Sequence, residues 1–144
     1  MPVTNGSMSR KEHINPKGKK VFFLSGRGVK IGTDVTIQEG VRLFPGACIS
    51  DSASIGENVV VGAGARIGYR TKVGDNSRVG KDAYIHDGAT IGSEAQIGQG
   101  AQIGCDATVG KGSLVDANTA VPDGAVIGDN VVITHREVIR FPRT

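Results

Sequence analysis

Aliphatic residues recur at every sixth position along most of this chain. From Ile31 to Ile139 in steps of six, nineteen consecutive positions hold Ile, Val or Leu without one insertion. A period of six fits neither the 3.6-residue period of an α-helix nor a long alternating strand. The fifth residue of each hexad is small or β-branched, as at Val35, Ala65 and Ala101. Because side chains alternate along a strand, the fifth residue and the next aliphatic residue point inward, and the residue between them points outward.

The remaining positions of the hexad have the composition of a corner. The fourth position, followed from Asp34 to Arg136, is Gly, Asn or Asp in fourteen of eighteen hexads. These residues tolerate the left-handed backbone that sharp turns need. The second position is Gly in eleven of eighteen hexads, which predicts little room beside the next coil. Each hexad is therefore predicted to be one short strand and one sharp corner.

Three such hexads close a triangular coil, and successive coils stack at about 4.8 Å. Residues 31–138 contain eighteen hexads, or six coils, so the prism should be about 30 Å long. The sequence predicts an all-β fold over residues 21–139: a parallel β-helix of about six to seven triangular coils without insertion loops. Stacked aliphatic side chains fill its interior, so a functional site must lie on an outer face, at a corner, at an end or between subunits.

The segment IGSEAQIGQGAQIGCDATVGKGSL at 91–114 resembles the bacterial hexapeptide-repeat transferase family, whose fold is a left-handed parallel β-helix. The resemblance extends over about 31–138 and supplies the handedness, because the general rule for parallel crossovers favours a right-handed one. It implies acyl transfer from acyl-CoA or acyl carrier protein for most members, γ-class carbonic anhydrase chemistry for others, and no known activity for some. It also implies assembly as a homotrimer of parallel prisms.

Charge separates the N-terminus from the rest of the chain. Residues 1–30 contain seven basic residues and one acidic residue, whereas the remainder contains ten basic and thirteen acidic residues. We expect a basic, flexible N-terminal tail over 1–20, a first strand at 21–24 whose rings seal the end of the prism, and a C-terminal tail over 140–144. Nucleic-acid binding is disfavoured, because the tail lacks a binding motif and interleaved aromatic residues.

Composition argues against several other classes of protein. No apolar run approaches the roughly 18 residues of a membrane-spanning helix, and the polar first twenty residues do not resemble a signal peptide. The two cysteines, Cys48 and Cys105, should lie about three coils or roughly 14 Å apart, too far for a disulfide. The sequence therefore predicts a cytoplasmic protein without a membrane span.

Apolar residues on the outer faces offer a contact surface. Leu114, Val132 and Val138 occupy outward positions near the C-terminal end of the prism. Exposed apolar side chains stacked in this way suggest a subunit seam, here of a homotrimer. The competing interpretation is that β-branched residues are used there only because they favour strands.

His86 is the candidate catalytic residue. It occupies a second position, which is usually Gly, and should point outward near Tyr84 and before Asp87. The family resemblance implies a histidine near the subunit seam that takes the proton from the acceptor, with the acyl-CoA arm in the groove between prisms. A free imidazole has a pKa near 6.5, which suits a general base. The alternative is an ordinary surface histidine. His135, at the last corner, is the natural control, and His13 lies in the tail.

The carbonic anhydrase alternative is weaker. A catalytic zinc ion usually needs three histidines or equivalent ligands, and the family resemblance implies two of them five residues apart. His86 and His135 are 49 residues apart, so we predict no metal site and no tightly bound cofactor.

Two classes of function therefore fit the sequence. The first is an acyltransferase-like enzyme that uses acetyl-CoA as a co-substrate at trimer seams, with His86 as the base. The second is a non-catalytic β-helical scaffold or binding protein. The loop insertion that often shapes the acceptor site in the family is absent from the hexads, which favours the second class.

Overall fold

The computed structural model describes residues 9–134, which form twenty β-strands and no helix. The strands are arranged in three sheets, here called A, B and C. Sheet A contains, in spatial order, β1 (Ser9–Ile14), β2 (Lys20–Ser25), β5 (Arg42–Leu43), β8 (Val60–Val61), β11 (Arg78–Val79), β14 (Gln96–Ile97), β17 (Leu114–Val115) and β20 (Val132–Ile133).

Sheets B and C contain six strands each, and all of them are parallel to their neighbours. Sheet B is formed by β3 (Lys30–Ile31), β6 (Cys48–Ile49), β9 (Arg66–Ile67), β12 (Tyr84–Ile85), β15 (Gln102–Ile103) and β18 (Ala120–Val121). Sheet C is formed by β4 (Thr36–Ile37), β7 (Ser54–Ile55), β10 (Lys72–Val73), β13 (Thr90–Ile91), β16 (Thr108–Val109) and β19 (Val126–Ile127).

The register of these strands confirms the predicted solenoid. Lys72 of β10 pairs with Ser54 on one side and with Thr90 on the other, so one coil takes 18 residues. From β3 to β20 the strands follow one another every six residues without an insertion. Backbone hydrogen bonds join successive coils, as from Gly74 N to Ile91 O at 2.7 Å. The result is a triangular prism of about six coils.

The interior is a single column of small and aliphatic side chains. Ala65, Ile67 and Ile103 are fully buried, as are most residues in their two positions of the hexad. The few polar residues in the column hydrogen-bond to the backbone: the hydroxyl of Ser77 donates to Gly92 O and that of Ser113 donates to Gly128 O, both at 2.6 Å. These bonds offset the cost of burying a hydroxyl group.

The corners have the backbone that the fourth position predicts. Every fourth-position residue from Gly28 to Asn130 has a φ between 56° and 80°, and ten of the eighteen are not glycine. The second position is equally constrained, because a Cβ at Gly62 would lie 2.6 Å from the backbone nitrogen of Lys81 in the next coil. Close approach of coils, as expected, explains the frequent glycine there.

The N-terminal region differs from the predicted tail. Residues 9–14 form β1, which pairs antiparallel with β2, with Glu12 opposite Phe22. The hairpin is held on the first coil because the Asn15 amide donates to Ile37 O at 2.9 Å and accepts from Ile37 N at 2.7 Å. These bonds satisfy backbone groups that β4, the first strand of sheet C, would otherwise leave open. The expectation of a tail over 9–20 was therefore wrong.

Only one of the two adjacent phenylalanines seals the prism. Phe23 is 5 % exposed and belongs to the core, whereas Phe22 points outward and lies 4.0 Å beneath the guanidinium of Arg10. The strand expected at 21–24 is confirmed as part of β2. Residues 1–8, the domain end predicted at 139, the tail at 140–144, His135 and Val138 lie outside the described residues.

Candidate functional site

His86 follows β12 directly and points away from the core. Its ring stacks on Tyr84, two residues earlier, with the ring centroids 3.9 Å apart and the planes 6° from parallel. The guanidinium carbon of Arg66, the neighbour of Tyr84 in sheet B, lies 5.7 Å from the tyrosine ring. His86 N donates to Ile103 O at 2.9 Å, and the residue is half-buried. The imidazole is thus held in one place with part of it open to solvent.

The corner that carries His86 borders a polar cavity. We call the turns that join sheet B to sheet C, at 50–53, 68–71, 86–89 and 104–107, the histidine corner. Its cavity has a volume of about 590 Å³ and begins at the residue after His86. The lining residues are Asp51, Ser52, Tyr69, Arg70, Asp87, Gly88, Cys105 and Asp106.

Some of the aspartates at this corner have a structural role that the sequence did not reveal. Asp87 Oδ1 accepts a hydrogen bond from Tyr69 N at 2.9 Å, and Asp51 Oδ1 accepts one from Thr33 N at the same distance. Both bonds span 18 residues, so a third-position aspartate caps the third-position N–H of the preceding coil. Asp123 does the same for Cys105. One carboxylate oxygen of each residue therefore helps to hold the coils together.

A second groove runs along the next corner. We call the turns that join sheet A to sheet B, at 62–65, 80–83 and 98–101, the glycine corner. Gly62, Gly80 and Gly98 stack there at the second position and form a floor without side chains. The groove has a volume of about 490 Å³. Its other lining residues are Phe44, Val60, Ala63, Arg78, Val79, Lys81, Gln96, Ile97, Gln99 and Leu114.

The groove and the histidine lie at the same height on the prism. Arg78 and Lys81, in the middle of the groove, belong to the same coil as Tyr84 and His86. No residue of the histidine corner lines the groove, however, because sheet B separates the two corners. Within one chain, the structure therefore does not bring His86 to the groove.

The predicted seam residues are partly placed. Leu114 and Val132 are neighbours in sheet A, and Val132 is 55 % exposed. Leu114 also lines the end of the groove.

The thiols of Cys48 and Cys105 are both free.

Metal ligands are not clustered in the described part of the chain. Among residues 9–134, no group of three His, Cys, Asp or Glu side chains is placed to hold a metal ion. His13 is engaged elsewhere, with its Nε2 2.8 Å from Val35 O. The same range includes no apolar helix of membrane-spanning length.

Comparison with family models identifies the repeat. The model described as bacterial transferase hexapeptide, with six repeats, matches residues 34–69 and 70–105, which together make up half of the chain. The chain belongs to this family. The resemblance carried by residues 91–114 is thereby confirmed. Comparison with curated protein sequences gives no significant match.

Solved structures of hexapeptide acyltransferases share the fold. A point mutant of AntD, an N-acyltransferase from Bacillus cereus in complex with dTDP-4-amino-4,6-dideoxyglucose and coenzyme A, has a TM-score of 0.64 at 14 % identity over 72 % of this chain and 74 % of its own. A mutant of GDP-perosamine N-acetyltransferase from Caulobacter crescentus, with CoA and GDP-perosamine, has a TM-score of 0.51 at 22 % identity over 74 % and 50 %.

The acetyltransferase domain of PglB from Neisseria gonorrhoeae, in complex with acetyl coenzyme A, is also similar, with a TM-score of 0.50 at 25 % identity over 66 % of this chain and 51 % of its own. This hexapeptide-family chain thus spans about half the length of the perosamine and PglB proteins. The similarity shows the fold. The activity has to be argued from the residues of this chain.

Proposed function

We propose that this chain is an acyltransferase that moves an acetyl group from acetyl-CoA to an amine or a hydroxyl group, with His86 as the general base. The observation that carries the proposal is the placement of His86. It occupies a second position that is Gly in eleven of eighteen hexads, and its ring stacks on Tyr84 while the residue stays half-buried. The adjacent coils have Gly68 and Gly104 at this place, where a Cβ would lie within 3 Å of the next coil, whereas Ser50 and Pro122 hold it in other coils.

The proposed reaction is a single acyl transfer. The imidazole of His86 takes the proton from the acceptor as the acceptor nitrogen or oxygen attacks the thioester carbonyl carbon. The new C–N or C–O bond forms, and the C–S bond of acetyl-CoA breaks. The CoA thiolate leaves with the proton that His86 returns, so the histidine ends neutral and ready for another cycle.

The glycine corner is suited to the donor. Its floor of Gly62, Gly80 and Gly98 gives a narrow apolar channel parallel to the prism axis, which matches the extended pantetheine arm. Arg78 and Lys81 on its wall supply cations for the phosphate groups of CoA. The donor would therefore lie at the height of His86, with its thioester delivered to the histidine of an adjacent subunit.

This arrangement requires an oligomer. Because His86 lies outside the groove of its own chain, a parallel neighbour without axial shift would bring the two together. We propose a homotrimer whose seam includes Leu114, Val132 and Val138, as the family resemblance implies. We also propose that the protein is cytoplasmic, as the polar first twenty residues predict.

Nucleotide-linked amino sugars are the acceptors to test first. The AntD and perosamine enzymes are both described in complex with such sugars together with coenzyme A. The polar cavity that begins beside His86 offers Asp87, Arg70 and Tyr69 as hydrogen-bonding groups for a sugar.

A non-catalytic scaffold is the second candidate, and one observation favours it. The coils run from Lys30 to Ile133 without any inserted loop, so this part of the chain builds no separate wall around an acceptor.

Binding of acetyl-CoA distinguishes the two functions. Calorimetric titration of the intact oligomer, its mass confirmed by light scattering, should give saturable binding with a Kd of about 1 mM or lower, equivalent to about −4 kcal/mol. CoA thiol release in the presence of amino-sugar nucleotides should then follow. If the oligomer shows no saturable binding at millimolar acetyl-CoA, the acyltransferase proposal is wrong and the scaffold function is favoured.

A further inference from the structure

The N-terminal end of the prism carries a concentrated positive charge. Residues 9–30 contain seven basic side chains and one acidic side chain, whereas residues 31–134 contain seven basic and twelve acidic ones. All seven basic residues at this end are exposed: Arg10, Lys11, Lys17, Lys19, Lys20, Arg27 and Lys30. The prism is about 30 Å long, and the Debye length at physiological ionic strength is about 8 Å. The acidic residues of the distant coils therefore do not cancel the field at this end.

The positive residues are held on a folded element. The loop of the β1–β2 hairpin is closed by hydrogen bonds from Asn15 N to Lys19 O at 2.8 Å and from Gly18 N to Asn15 O at 2.7 Å. The buried amide of Asn15 fixes this loop to Ile37, and the ring of His13 reaches Val35 O. Lys17 and Lys19 are consequently displayed at a defined place at the end of the prism.

An exposed apolar side chain lies among these lysines. Ile14, the last residue of β1, is 60 % exposed and stands opposite Lys20 in the hairpin. Within the described hairpin, residues 9–25, no other large hydrophobic side chain is exposed to this extent. An exposed apolar side chain next to a lysine-rich loop is typical of a segment that enters the headgroup region of a bilayer while its cations contact lipid phosphates.

We propose that the N-terminal hairpin docks this end of the prism on an anionic membrane surface, with Ile14 entering the interface and Lys17 and Lys19 contacting lipid phosphates, while Lys20 pairs with Glu12 at 3.3 Å. The prism axis then stands away from the bilayer, and the acidic corners face water. Nucleic acid fits less well, because Arg10 covers one face of the half-buried Phe22 ring and Phe23 is buried, which leaves little aromatic surface for base stacking. This proposal is independent of the proposed acyl transfer.

Cosedimentation with lipid vesicles tests the docking. The intact protein should bind vesicles of phosphatidylcholine mixed with phosphatidylglycerol, should not bind phosphatidylcholine alone, and should be released when salt is raised from about 0.1 M to about 1 M. Lys17→Ala combined with Lys19→Ala should weaken binding about thirtyfold, since each cation near such a surface contributes about 1 kcal/mol. Ile14→Ser should weaken it about tenfold.

A matched control removes two cations from the body of the prism. Lys72→Ala combined with Lys111→Ala lowers the net charge equally, on exposed sites of sheet C and of the corner beyond it, and should leave vesicle binding unchanged. Equal losses from the two pairs would overturn the proposal, as would a folded protein that ignores the anionic vesicles. Competition by duplex DNA that displaces the protein from the vesicles and forms the tighter complex would also overturn it.

Discussion

The glycine corner and the histidine corner share one backbone and differ in chemistry. Both turn the chain through a residue with positive φ, such as Gly64 at the first and Arg70 at the second. At the glycine corner, three stacked glycines remove the side chains from the second position, and an apolar groove results. At the histidine corner, His86 interrupts that position, and aspartates at the third position cap the coils around a polar cavity.

The difference shows which hexad positions of a repeat protein can carry a binding groove or a reactive side chain. Burial fixes the inward positions, the left-handed backbone limits the fourth, and close approach of the next coil limits the second, so the third and sixth positions vary most freely. At one corner, stacked glycines leave room for a groove; at the other, a histidine stands between two glycines of a column that also holds Ser50 and Pro122. Each feature can be removed separately without changing the core.

Replacing His86 should have the largest effect on activity. His86→Gly restores the residue found at Gly68 and Gly104 in the same column, so the fold and the oligomeric mass should be kept. Turnover should fall between about 100-fold and 10,000-fold because the general base is gone. Steady-state thiol release measures the loss, and calorimetry should show nearly unchanged acetyl-CoA binding. His135→Gly is the matched histidine control, and equal losses from both variants would remove His86 from the mechanism.

Charge placed beside the glycine corner tests whether that corner forms the seam. Leu114→Glu should dissociate the oligomer, because an unpaired carboxylate buried at an interface costs about 3–5 kcal/mol. Light scattering at micromolar protein concentration measures the mass of the oligomer. Val126→Glu, on sheet C at the same end of the prism and 63 % exposed, is the control and should keep the oligomer. An unchanged mass for Leu114→Glu would place the seam on another face.

The glycine floor should be sensitive to a single methyl group. In Gly80→Ala the new Cβ would lie 2.6 Å from the backbone nitrogen of Gln99, so the coils must separate and stability should fall by about 1–3 kcal/mol. Gly128 holds the same hexad position near the C-terminal end of the prism, and among residues 9–134 its added Cβ would meet only a methyl of Val131, at 3.9 Å. Gly128→Ala should be nearly neutral in denaturant unfolding. Similar losses at both positions would disprove the crowding argument.

Loss of an aspartate cap should have the smallest effect. Asp87→Ala removes the acceptor for Tyr69 N and should cost about 0.5–1.5 kcal/mol. Asp87→Asn keeps an oxygen at that place and should recover most of the loss. Gln99, at the third position of the glycine corner, is the control: Gln99→Ala should change the unfolding free energy by less than about 0.5 kcal/mol. Equal losses for Asp87→Ala and Asp87→Asn would show that the hydrogen bond is unimportant.

Most of the coil structure could be predicted because each hexad position has its own physical demand. The small residues at positions such as Ala65 mark the core, and the Gly, Asn and Asp residues of the fourth position mark the turns. The hairpin could not be predicted in this way. Residues 9–19 lack the six-residue period, and their strand depends on Asn15 reaching the backbone of Ile37, 22 residues later.

The candidate site was only partly visible in the sequence. His86 stands out because Gly68 and Gly104 occupy its place in the adjacent coils, and its contact with Tyr84 follows from two residues on the same side of a strand. The groove is harder to see, because it consists of missing side chains. It emerges when second positions are compared in steps of 18, which brings Gly62, Gly80 and Gly98 together. The aspartate caps depend on a bond between coils that no local pattern reveals.

Because every coil contains 18 residues, each residue's sheet is determined by its position within the 18-residue repeat. Deleting 18 consecutive residues would remove one turn, shorten the prism by about 4.8 Å and leave every later side chain on its original sheet. Deleting six would instead rotate all later residues by one face, so that the strand preceding His86 would pass from sheet B to sheet A. The length of this molecule can therefore change by whole turns, while the direction in which each side chain points is preserved only by multiples of three hexads.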